Sequence, residues 1–204
     1  MRLVPKPVGD LTVMVIRHGE KPDAEHPGVD ERLNPDKKSL TARGWDRARK
    51  LPGLFAPADD GGGGSDGENG SDGEGTDDRT LPLPAAVYAA GRGPAGGARR
   101  LAQTVTPLAE QLGLPVRTDC GKTQERALAE AVLAGAASPV LICWQHSHIP
   151  SLVRALGARD AGPAAPPRRW PSDRFDLVWL FRYDAGTGRW TFRQADQGLL
   201  EGDR

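Results

Sequence analysis

The stretch TVMVIRHGEK, Thr12 to Lys21, passes from a continuous apolar run straight into Arg17, His18, Gly19 and Glu20. An apolar run without polar alternation predicts a strand buried on both faces, as in parallel sheets covered by helices. In such sheets ligands bind just beyond the carboxyl ends of the strands. A strand that ends in a guanidinium, an imidazole and a glycine therefore marks its own end as a site.

Working outward, the chain alternates strand and helix. TARGWDRARKLPGLF predicts a helix from near Thr41, with Trp45, Ala48 and Leu51 on one face and Pro52 ending it. AAVYAA predicts a short strand. ARRLAQTVTPLAEQLG predicts a helix with Leu101, Val105, Leu108 and Leu112 at helical spacing, a kink or broken turn at Pro107 and a stop at Gly113. LPVRT predicts a short strand, TQERALAEAVLAG a helix presenting Leu128, Ala131, Val132 and Gly135, PVLICW a second buried strand, and IPSLVRALG a short helix. FDLVWLFRYDAGTGRWTFRQ predicts a hairpin turning at DAGTG. The expected fold class is α/β: a three-layer α/β/α sandwich with a mostly parallel central sheet, in one domain over 1–204.

A chain of 204 residues can bury a sizeable core. Its formal net charge of zero gives no reason to expect nucleic acid or a membrane surface as partner. That total hides an asymmetry. Asp59 to Thr80 holds eight acidic residues and one basic, which leaves 26 basic and 19 acidic residues elsewhere. The remainder suits an anionic substrate, although a solvated, arginine-rich surface accounts for it as well. The segment at about 58–80 has too little apolar surface to offset chain entropy, so it is expected to be a disordered acidic, Gly-rich insertion. Two cysteines, Cys120 and Cys143, make no disulfide framework and no zinc spacing. The run Leu11 to Ile16 is too short for a signal peptide, and no segment is long enough to span a bilayer. The expectation is a soluble, cytoplasmic protein.

Three strand ends carry polar residues. The first is Arg17-His18-Gly19-Glu20. The second is the Gly-rich loop after AVYAA, with Arg92, leading to Arg99 and Arg100. The third is WQHSH after PVLIC, with His146 and His148. Guanidinium forks match phosphate oxygens, and a helix N-terminus favours anions. An unperturbed imidazole is largely neutral near pH 7 and can approach a phosphate dianion as a nucleophile. His146 and His148 are two apart and would share a face on a strand, but two ligands alone are a poor zinc signal. Trp144, Trp170 and Trp179 read as core or rim, with Trp144 placed to stack on an organic leaving group. Arg43 reads as a solvated helix charge.

RHGEK after an N-terminal strand, then LTARGWDRA, YAAGRGPAGGARRLAQTVTPLAEQLGL and VLICWQHSHIP in that order, resemble the histidine phosphatase superfamily, also called phosphoglycerate-mutase-like. The resemblance covers Leu11 to the end, apart from the acidic segment. It implies a metal-independent phosphatase without cofactors, acting on a phosphorylated small molecule or a phosphoprotein. His18 would be the nucleophile that becomes phosphohistidine. Arg17, and Arg100 of an RxxQT pattern with Gln103 and Thr104, would bind the phosphate. His146 would stabilise the equatorial oxygens. Gly19 would let the backbone approach and hold the imidazole, and Arg92 is a further phosphate ligand within reach.

The chain departs from the family pattern in two ways. No Asp follows His146, so the general acid falls to Asp119 or Glu125, either of which also reads as a loop or helix-start charge. Ala90 replaces the family's usual Ser. If neither carboxylate serves, the expected substrates have leaving groups that need little protonation, such as phosphohistidine or acyl phosphates. A phosphomutase, and a weakly catalytic member that binds phosphorylated ligands, are the alternatives.

Overall fold

The computed structural model describes residues 5–55, 81–93, 97–162 and 165–203. The acidic Gly-rich insertion predicted at about 58–80 lies outside the described residues. The described residues form an α/β fold with one six-stranded mixed sheet and four α-helices.

The elements are β1 (Leu11–Arg17), α1 (Ala42–Phe55), β2 (Ala86–Ala89), α2 (Arg100–Gln111), β3 (Val116–Arg117), α3 (Glu125–Ala134), β4 (Val140–Trp144), α4 (Ile149–Ala155), β5 (Leu177–Asp184) and β6 (Arg189–Asp196). The strand order is β3-β2-β4-β1-β5-β6. β2 pairs parallel with β3 and β4, and β4 pairs parallel with β1. β5 and β6 add an antiparallel hairpin beside β1, which makes the sheet mixed. Val13 to Ile16 and Leu141 to Trp144 have no exposed surface, so the two central strands are covered on both faces. Edge strand β6 alternates toward solvent instead.

Local chemistry sets the helix ends. The Thr41 hydroxyl accepts the Gly44 backbone N–H at 3.1 Å, an N-cap for α1. Pro52 does not end α1, which continues to Phe55. Only one backbone bond is forfeited there, and the burial of Leu51, Pro52 and Phe55 holds the last turn in the core. α2 likewise runs through Pro107 without a break. Gly113 stops α2 as expected, at φ +64°, while the Leu114 N–H reaches back to the Ala109 carbonyl at 2.9 Å. Gly135 lies past the end of α3 in extended conformation, not on its inner face.

A buried ion cluster ties the C-terminal segment to α1. The Arg47 guanidinium, 2% exposed, donates to Glu20 at 2.8 Å and to Asp203 at 2.7 Å, and its Nη1 reaches the Gln197 amide oxygen at 3.2 Å. Arg43 is no free helix charge, because it donates to the Glu201 carbonyl at 2.8 Å and lies 3.4 Å from Glu20. No described helix is long and apolar enough to cross a membrane.

Candidate active site

The parallel strands end together, and the residues after them face one cleft. β1 and β4 are in register with Arg17 beside Trp144, so His18 leaves β1 at the level where Gln145 and His146 leave β4. Loops after β2 and β3 complete the wall.

His18 is 5% exposed, and its Nδ1 lies 2.7 Å from the Gly19 carbonyl oxygen. A carbonyl can only accept, so Nδ1 carries the proton and Nε2 keeps its lone pair. Burial, reinforced by the charges of Arg17 and Arg100, lowers the His18 pKa to about 3 against the opposing pull of that Gly19 bond. The imidazole is therefore neutral throughout the physiological range. Thr104 on α2 fixes the turn behind it. Its hydroxyl accepts the Gly19 N–H at 2.8 Å and donates to the Arg100 carbonyl at 2.7 Å. Gly19 and Gly44 meet back to back. A Cβ on Gly19 would lie 3.1 Å from the Gly44 carbonyl oxygen, and one on Gly44 would lie 2.8 Å from the Glu20 carbonyl oxygen. Both glycines are needed for this close approach.

Arg17 is 1% exposed. Its Nη1 donates to the Ser172 carbonyl at 2.7 Å, and its guanidinium carbon lies 3.7 Å from the centre of the Phe175 ring. Burial lowers its pKa to about 10, which leaves it charged. Arg100 opens α2 and donates to the Lys37 carbonyl at 3.2 Å, with its pKa also lowered by burial. The His146 ring stands edge-on to His18, centroids 6.2 Å apart, and burial together with Arg17 and Lys21 depresses its pKa. Arg17 Nε, Arg100 Nε and His146 Nδ1 are all buried without a protein hydrogen-bond partner. Buried polar nitrogens are rarely left unpaired, and these three belong to residues that sit around His18.

The cleft measures about 610 Å³ and is lined by His18 and His146, by Arg100 and the start of α2, and by the loops carrying Arg92 and Lys122. Lys21 also reaches it. Among the described residues, every ionisable group in its lining is basic.

The two acid candidates stand elsewhere. Asp119 is exposed and does not line the cleft. Glu125, at the start of α3, lies 2.5 Å from His148 Nδ1 and does not line the cleft either. His146 to His148 form a 3₁₀ turn, so the shared face expected of a strand is absent and His148 faces Glu125. Trp144 is fully buried and cannot stack on a leaving group. Arg99 points to Asp36 at 3.8 Å, and Gln103 bonds Glu31 and Ser39. Among the described residues, no three of His, Cys, Asp or Glu come together as a metal site.

The chain matches no protein-family model and, at a significant level, no curated protein.

Sequence reading passed over Lys122, Phe175, Gly44 and Arg47. Gly44 carried a signal, since a glycine in the first turn of a helix calls for a packing reason. Phe175 and Lys122 carried none, because their roles depend on loop paths.

Proposed function

We propose that the protein is a metal-independent phosphatase that hydrolyses a phosphomonoester or a related phosphoryl compound through a phosphohistidine on His18. One observation carries this reading. A neutral, buried imidazole with a free Nε2 lone pair lies within the field of Arg17, Arg100 and His146, whose buried nitrogens lack protein partners. The motif resemblance to the histidine phosphatase superfamily supports it. So does the packing of α1 against α2 and of α3 against α4, which fits a three-layer sandwich of that kind.

The Nε2 lone pair forms the N–P bond as the bond from phosphorus to the leaving oxygen or nitrogen breaks. Arg17, Arg100 and an N–H of His146 neutralise the equatorial oxygens as charge builds. The electron pair leaves with the departing group. Water then attacks the phosphohistidine, releases inorganic phosphate and restores His18. Among the described residues no carboxyl lines the cleft to protonate the leaving group. The reading therefore favours acyl phosphates, phosphoramidates such as phosphohistidine, and aryl phosphates over alkyl esters.

The test is aryl phosphate hydrolysis in EDTA by wild type and His18→Ala, with acid-quenched trapping of the phosphoenzyme. Turnover that survives EDTA and vanishes in His18→Ala supports the proposal. Turnover that persists in His18→Ala, or that EDTA abolishes, overturns it. A phosphoenzyme that forms and never clears would mean a binding member in place of a phosphatase.

A further inference from the structure

The cleft extends beyond the reach of His18. Its volume of about 610 Å³ falls within the range of roughly 300–1,000 Å³ typical of whole small-molecule sites. Two loops form its outer wall, one after β2 with Gly91, Arg92 and Gly93, the other after β3 with Gly121 to Gln124. They are joined. Gly91 and Gly121 form an isolated parallel bridge, and the Gly91 N–H donates to the Cys120 carbonyl at 2.8 Å. A Cβ on Gly91 would collide with the Thr118 carbonyl oxygen, so only glycine permits this approach.

Register has a consequence for the next residue on each side. Arg92 and Lys122 leave the bridge together, from backbones spaced about 5 Å apart. Both side chains are exposed and both line the cleft. Among the described residues neither has a side-chain hydrogen bond or ion pair, and none contributes a carboxylate to the cleft lining to neutralise them. Adjacent unpaired cations repel, and an anion seated between them removes that cost.

We infer that Arg92 and Lys122 form a second anion subsite, and that the substrate is a small molecule carrying a second anionic group, phosphate or carboxylate, besides the phosphoryl group presented to His18. The inference rests on the reading of His18 as phosphoryl acceptor. A concave cleft walled by loops favours a small molecule over a phosphoprotein surface.

Binding of non-hydrolysable probes to the full chain tests it by calorimetry. Methylphosphonate supplies one anion. A series of α,ω-alkanebisphosphonates and ω-phosphonocarboxylates supplies two, and comparing the series tells which second anion is preferred. At least one two-anion probe should bind on the order of tenfold more tightly than methylphosphonate. Arg92→Gln with Lys122→Gln should erase that advantage, and Lys122→Gln alone should reduce it while leaving methylphosphonate affinity within about twofold. Arg92→Lys with Lys122→Arg should retain most of it. No advantage for any two-anion probe, or an advantage that survives the double Gln variant, overturns the inference. An acidic phosphopeptide that alone shows the dependence overturns the small-molecule assignment. Because no probe turns over, these results are separate from the His18→Ala hydrolysis test.

Discussion

Gly44 and Gly53 lie in the same helix, and alanine at each should move stability in opposite directions. Alanine gains roughly 1 kcal/mol over glycine within a helix. At Gly53 a Cβ meets nothing within 4 Å, so Gly53→Ala should keep that gain and stabilise by about 0.5–1 kcal/mol. At Gly44 the Cβ would lie 2.8 Å from the Glu20 carbonyl oxygen and 3.0 Å from the Glu20 nitrogen. Both are backbone atoms and cannot rotate away, so α1 must back off from the His18–Glu20 segment by a few tenths of an ångström. Overpacking of this kind costs about 1–3 kcal/mol, which offsets the helix gain and leaves a net loss of up to about 2 kcal/mol. The displaced segment includes Gly19, whose carbonyl orients His18. Misplacement by 1 Å costs about a hundredfold in rate, so this smaller shift should lower aryl phosphate kcat/KM on the order of tenfold. Urea denaturation of both variants, with parallel hydrolysis assays, measures the two effects. If Gly44→Ala is as stable and as active as Gly53→Ala, the Gly19–Gly44 contact does not position the nucleophile.

Four further outcomes are expected. Glu125→Gln and Asp119→Asn should each keep aryl phosphate kcat/KM within about twofold; a hundredfold loss in either would give a carboxylate a place in the chemistry. Arg47→Met should cost about 3 kcal/mol in urea denaturation, since it leaves Glu20 and Asp203 with only the half-exposed Arg43 for a cation, and a loss under about 1 kcal/mol would refute the account of the cluster. Because the His18 pKa is lowered to about 3, kcat/KM corrected for substrate ionisation should show no enzymatic limb near pH 6.5. The same shift makes the unfolded chain bind a proton that the folded chain refuses. Stability should be complete above about pH 6.5 and decline as the pH falls toward 3; a kcat/KM limb near 6.5 that His146→Gln leaves in place would contradict this.

Much of the architecture was legible because the buried strands are written as uninterrupted apolar runs. Leu11 to Ile16 and Val140 to Trp144 need no context to be read, and the strand-end rule then located His18 and His146. Proline misled at Pro52, where core burial outweighed a single lost hydrogen bond. The carboxylate candidates lie off the cleft for a different reason. Proximity in sequence to a strand end says nothing about direction, and Glu125 faces His148, a partner that only the 3₁₀ turn after β4 could supply. Arg47 resembled its exposed neighbours in the same Arg-rich helix, and only the return of Asp203 distinguishes it.

The clasp between Arg47 and Asp203 also bears on synthesis. A ribosome delivers His18 more than 180 residues before Asp203. Until Asp203 has cleared the exit tunnel, the loop behind His18 lacks one of the two carboxylates that clamp Arg47. A nascent chain would then carry Arg17, His18 and Arg100 on an unfinished floor, and clipping the chain before Asp203 should loosen that floor without removing a residue that lines the cleft.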